Sequence, residues 1–81
     1  MRKRKQPLGT RNICGERISI RRKQIGMKQK DLLTQLQIRG VDINTSGLSK
    51  LEGQVRSVLD KELIVLSEVL DVSVLWLLGL E

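Results

Sequence analysis

Apolar residues recur along this chain at helical intervals. Cys14, Ile18 and Ile25 fall on one face of a segment from Ile13 to Ile25, which Asn12 can cap and Gly26 can end. A second helix is expected from Lys28 to Ile38, burying Leu32, Leu33 and Leu36 and stopped by Gly40. The linker GVDIN follows, with Val41 and Ile43 expected to plug the core beneath it. Asn44 is a good N-cap for a third helix, and Gly53 suits the position past its end. Leu59, Leu63, Leu66 and Leu70 then repeat at i, i+4, i+7 and i+11 and predict the clearest amphipathic helix, Leu59 to Leu70. Asp71 and Val72 make a turn, and Ser73 caps a short fifth helix from Val74 to Leu78. Nothing alternates with the period of two that a strand requires, so the predicted class is all-α.

The third helix is unusual within this pattern. Thr45, Ser46, Gly47 and Ser49 are indifferent or poor helix formers, yet Leu48 and Leu51 hold the i, i+3 spacing of a buried face. At about 100° per residue, Ser46, Ser49 and Lys50 point the other way. The outer face is therefore short and polar, whereas a plain solvated helix would be expected to carry Glu, Lys and Ala. A helix entering the major groove of DNA needs this profile, because small side chains let the backbone approach while hydroxyls and a cation reach base edges and phosphates.

Charge strengthens that reading. Residues 1 to 30 hold eleven Lys or Arg against Glu16 alone, and residues 31 to 81 hold four against eight acids. A front-loaded basic field suits a polyanion. Met1 to Arg11 contains RKRK, Pro7 and Gly9 with almost nothing to bury, so residues 1 to 11 are expected to form a flexible basic arm ahead of a folded domain, 12 to 81. Within the arm, Arg2, Lys3, Arg4 and Lys5 are candidate contacts to the DNA backbone.

Other chemistry finds little support in the composition. Trp76 is the only aromatic residue and Cys14 the only cysteine, and there is no His. An intramolecular disulfide is excluded, zinc and haem lack their usual ligands, and Cys14 is expected to be a small buried apolar residue. No His base, Cys–His pair or Gly-rich phosphate loop suggests an enzyme, so no catalytic residue, cofactor or metal is assigned. RKRK leads into QPLGTRN rather than an apolar stretch, and VSVLWLLGL at 72 to 80 is far short of a membrane span, so a cytoplasmic protein is expected. Single-stranded RNA is disfavoured because no set of aromatic side chains is present to stack unpaired bases.

RISIRRKQIGMKQKDLLTQL, then NTSGLSKLEGQ, then KELIVLSEVLDVSVLWLLG resembles the phage-repressor (Cro-like, XRE) helix-turn-helix family across residues 12 to 80. The most specific pieces are Gly26-x-x-Gln29, Leu48-Ser49-Lys50-Leu51-Glu52 and Leu70-Asp71-Val72-Ser73-Val74-x-Trp76-Leu77-Leu78-Gly79. The resemblance implies a five-helix lambda-repressor-like domain whose third helix reads DNA through Thr45, Ser46, Ser49 and Lys50. It further implies that Gln29 holds a phosphate or braces the first recognition-helix residue, that Lys28 stands by the backbone in place of a capping Ser or Thr, and that Arg56 contacts a phosphate. The turn is about five residues longer than the tight helix-turn-helix link. Leu33 stands where a small residue is usual, and Arg21 replaces a frequent core Leu, with Ile25 expected to fill that space.

The function implied is sequence-specific binding of double-stranded DNA by a transcriptional repressor or regulator. Family members commonly pair two recognition helices about 34 Å apart on a pseudo-palindrome, so a homodimer is expected. Val74, Leu77 and Leu78 can serve the monomer core, which leaves Leu75, Trp76 and Leu80 as the candidate dimer interface. The alternative is an antitoxin-like module that binds a partner protein and regulates its own operon.

Overall fold

The computed structural model describes residues 7–81, and the arm contacts expected of Arg2, Lys3, Arg4 and Lys5 lie outside that range. Among the described residues there are five helices and no strand: α1 (Gly15–Gln24), α2 (Gln29–Ile38), α3 (Thr45–Glu52), α4 (Asp60–Leu70) and α5 (Val74–Leu77). The all-α expectation therefore holds.

Each helix begins where a side chain satisfies amides that have no intrahelical partner. The Asn12 carbonyl oxygen accepts from the amides of Cys14 and Gly15 at 3.1 and 2.8 Å. Asn44 does the same for Gly47 at 2.7 Å, and the Ser73 hydroxyl accepts from Trp76 at 3.0 Å. For α2 and α4 the help comes from the third helical residue. The Lys28 amide donates to Asp31 at 3.2 Å and the Leu59 amide to Glu62 at 2.9 Å. Neither Lys28 nor Leu59 has a side-chain acceptor, so only this half of the capping exchange exists.

The core is almost wholly aliphatic. Ile18, Leu32, Leu36, Ile43, Leu48, Leu51, Leu66, Leu70 and Leu77 are buried with Cys14, and Leu33, Val41, Leu63 and Trp76 pack against them partly covered. Complete burial of one such aliphatic side chain contributes about 1.5–3 kcal/mol, more than any exposed ion pair. Packing of α1 on α3 and α4, and of α2 on the same two helices, thus fixes the arrangement.

Several expected boundaries shift. α1 starts at Gly15, so Ile13 lies outside it and is exposed. Ile25 is 40% exposed because α1 ends at Gln24 and the turn carries this side chain outward. It does not fill the space beside Arg21; instead Arg21 Nε donates to the Leu70 carbonyl at 2.8 Å, satisfying the end of α4. Leu59 is 60% exposed because it is the extended residue before α4, off the helical stripe, and Glu62 occupies the inward position instead. Gly53 is buried with an ordinary φ of −82°, and the left-handed residue beyond α3 is Gln54 at φ 60°. Among the described residues the Gly9 amide already donates to the Gly53 carbonyl. The folded unit therefore starts before residue 12, and residues 9 to 11 are not a free arm.

Candidate nucleic-acid interface

α3 presents two contrasting faces. Leu48, Leu51 and Glu52 are buried, while Thr45, Ser46, Ser49 and Lys50 are all exposed. The outer face, inferred for Ser46, Ser49 and Lys50 from the helical period and for Thr45 from the resemblance, thus carries one cation among three hydroxyls. α2 lies against α3, and Gln29 in its first turn reaches across: the Ser49 hydroxyl donates to Gln29 Oε1 at 3.3 Å. Gln29 accordingly touches the middle of α3, not its first residue. Lys28 is exposed beside it, as are Lys23 and Lys30, so the edge formed by the α1–α2 turn and the start of α2 is basic.

The long link between α2 and α3 is anchored at two points. Ile43 is buried, and Gln37 Nε2 donates to its carbonyl at 2.9 Å. These contacts fix the entry of α3 just ahead of the Asn44 cap. At the other end of the helix stands a buried ion pair. Arg22 Nε and Nη2 donate to Glu52 Oε2 and Oε1 at 2.9 and 3.0 Å, and Arg22 Nη1 donates to the Met27 carbonyl at 3.0 Å. The side chains of Arg22 and Glu52 are only 11% and 3% exposed. Arg22 is therefore largely withdrawn from solvent, although an arginine is ordinarily a surface residue. The fork ties α1, the α1–α2 turn and the C-terminal turn of α3 together. One signal of it was visible: Glu52 lies four residues after Leu48, on the inner face, where a carboxylate needs a partner.

Gly15 permits this close approach of α1 to α3, since a Cβ there would overlap the Leu51 carbonyl oxygen.

Arg56, for which the family resemblance implies a phosphate contact, lies against Glu62. Its Nη1 and Nη2 donate to Glu62 Oε1 and Oε2 at 3.0 and 2.9 Å, a bidentate pair between the segment after α3 and the start of α4. Burial alone would push the Glu62 carboxyl up, but the Arg56 hydrogen bonds, the Leu59 amide and the Arg56 charge together hold it below the ordinary Glu range. Burial pushes the Cys14 thiol up, partly offset by a backbone hydrogen bond. Among the described residues, no buried side-chain nitrogen or oxygen lacks a hydrogen-bond partner, and no cluster of three metal-ligating side chains occurs. No helix among them is long and apolar enough to cross a membrane.

The three candidate interface residues of the C-terminal region differ in accessibility. Leu75 and Leu80 are 49% and 72% exposed. Trp76 is partly covered, packs on the core, and carries the Arg17 guanidinium 4.7 Å from its ring centroid. A shallow cleft of about 340 Å³ lies between the Asn12–Cys14 segment and Val58, Leu63 and Leu78, and no residue of α2 or α3 lines it. No protein-family model, curated protein or solved structure matches the chain.

Proposed function

We propose that this protein binds double-stranded DNA sequence-specifically through α3 and acts as a transcriptional regulator, repressing by occupancy. The observation that carries the reading is the outer face of α3, where four exposed residues, Thr45, Ser46, Ser49 and Lys50, share one side of a helix whose inner face is locked into the core. Such short side chains let the helix backbone come close to base edges, and hydroxyls and an ammonium supply donors to guanine, adenine or phosphate acceptors. Lys28, beside the start of α2, would contact the DNA backbone, and Gln29 would orient the Ser49 hydroxyl. Arg56 would add a further backbone contact, with its guanidinium oriented by Glu62. In this reading the front-loaded basic charge supplies attraction to any duplex, and α3 supplies discrimination.

Exposed Leu75 and Leu80 support association of two copies, which would present two α3 helices to a pseudo-palindrome. The same two residues also suit an antitoxin-like role with a partner protein in their place; a small toxin-like reading frame beside the gene would favour that variant. The test is selection of bound fragments from a random duplex pool, followed by titration of the selected and a random duplex. Enrichment of a defined half-site is expected. Equal affinity for both duplexes would reduce the protein to a nonspecific polycation, and no binding would end the reading.

A further inference from the structure

The segment from Gly9 to Asn12 crosses the C-terminal end of α3 as a strap. The Gly9 amide donates to the Gly53 carbonyl at 2.8 Å, and the Arg11 amide to the Gln54 carbonyl at 2.9 Å. Asn12 Nδ2 donates to the carbonyls of Leu51 and Arg56 at 3.0 and 2.7 Å. Gln54 answers from the other side. Its Nε2 donates to the carbonyls of Gly9 and Asn12 at 3.3 and 2.9 Å, and its Oε1 accepts from the Glu16 amide at 3.3 Å. The last carbonyls of a helix have no partner within it; here the strap serves one in the last turn and three just beyond. It also offsets the cost of holding Gln54, a non-glycine residue, at φ 60°.

The two ends of α3 are consequently held by different groups. Asn44 and the Gln37–Ile43 bond fix the entry, where Thr45 and Ser46 lie. The exit turn is closed by bonds from the Gly53 amide to the Ser49 carbonyl at 2.9 Å and from the Val55 amide to the Lys50 carbonyl at 3.0 Å. Gly53 and Gln54, which complete that turn, are the residues the strap grips. Arg22 secures Glu52 on the inner side of the same turn but contacts none of these carbonyls.

We propose that Gly9–Asn12 and Gln54 are positioning elements for the second half of the α3 outer face. The strap sets where Ser49 and Lys50 stand relative to Thr45 and Ser46, so a segment that contributes no side chain to that face governs base selectivity at one end of it. This rests on the reading of α3 as the base-contacting helix. A role in general stability alone would affect both ends of α3 alike; a positioning role affects one.

Two variants of the full chain test it. In Gly9→Ala the new Cβ would overlap the Gln54 carbonyl oxygen, so the strap must lift. Gln54→Gly keeps the positive φ and removes three side-chain bonds, and serves if Gly9→Ala fails to fold. Without DNA, amide hydrogen exchange should accelerate by about tenfold or more at Gly53 and Val55, and stay unchanged at Leu48 and Leu63, whose amides donate to Asn44 and Leu59. On a duplex selected from a random pool by the wild-type chain, discrimination should fall by about fivefold or more at bases sensitive to Ser49→Ala or Lys50→Ala, and hold at bases sensitive to Ser46→Ala. Uniform acceleration, or none, overturns the strap. Local acceleration with uniform or no loss of discrimination overturns the positioning role. If the pool yields no selected duplex, the base-reading role of α3 and the positioning role fall together, while the exchange data still decide whether the strap holds the helix end.

Discussion

Replacing Glu52 with alanine should be among the most damaging single changes in this protein. The substitution leaves the Arg22 guanidinium, whose side chain is 11% exposed, with the Met27 carbonyl as its only remaining partner. Breaking a buried pair by removing one member costs about 3–5 kcal/mol, because a charge stays desolvated and uncompensated. Arg22 keeps one hydrogen bond and some contact with water, which places the loss near the lower figure, about 3 kcal/mol. Stability of roughly 0.05–0.15 kcal/mol per residue gives the 81-residue chain about 4–12 kcal/mol in total, so the variant retains a fraction of that. At about 4–8 °C per kcal/mol for a domain of this size, Tm should fall by roughly 12–24 °C. Urea titration followed by far-UV circular dichroism measures the loss directly. The double variant Arg22→Met with Glu52→Leu should recover most of it, since apolar residues of similar volume leave no stranded charge. A loss below about 1 kcal/mol for Glu52→Ala, the value of an exposed pair, would refute the burial argument. A double variant as unstable as the single one would refute the attribution to charge.

Glu62 gives a pH test: its carboxyl is held below the ordinary value of about 4.5, so its contribution is complete above that value and is lost as pH falls through the lower folded value. Glu62→Gln should flatten the acid limb of the stability curve in that window, and an identical limb would place the titration elsewhere. Cys14 is buried with its thiol pushed up, so alkylation of the native chain should be slow and should accelerate with urea in step with unfolding; rapid labelling without denaturant would contradict the packing. Ser46→Ala or Lys50→Ala should weaken a selected duplex by about 1–3 kcal/mol with Tm nearly unchanged, and equal loss on random DNA would reassign the residue to phosphate contact. Leu75→Asp should shift sedimentation equilibrium toward a monomer that still folds, whereas a wild-type chain that is monomeric at tens of micromolar would rule out association through this surface in the absence of DNA.

The apolar period was enough to place Leu32, Leu36, Leu48, Leu51, Leu66, Leu70 and Leu77 in one core, and the caps at Asn12, Asn44 and Ser73 could be read from residue type and spacing. Ile25 and Leu59 were misplaced for one physical reason: each lies one residue outside its helix, where the helical period no longer dictates direction. Arg22 was hidden because its partner is thirty residues away and arginine is ordinarily a surface residue. The acids gave a fainter clue, as both Glu52 and Glu62 fall on inner faces. For α3, the sequence was enough to separate inner from outer residues, because a single helix fixes that by its own period. The contact of Gln29 with Ser49 depends on how α2 crosses α3, which the long link and Leu33 left open. The grip of Gly9, Arg11 and Asn12 on residues 51 to 56 ends on backbone carbonyls throughout, and two of its donors are backbone amides, which no residue-type pattern announces.

The Arg17–Trp76 stack gives the molecule a single optical reporter. Trp76 is the only aromatic side chain in the chain, so intrinsic emission comes from one indole on α5, with the Arg17 guanidinium of α1 over its face. Fluorescence therefore follows the seating of the last helix on the core and against Arg17, whereas the far-ultraviolet signal averages over every helix. Superposition of the two melting curves would mean that the C-terminal turn leaves with the rest in one cooperative step; an earlier change in emission would mean that it detaches first.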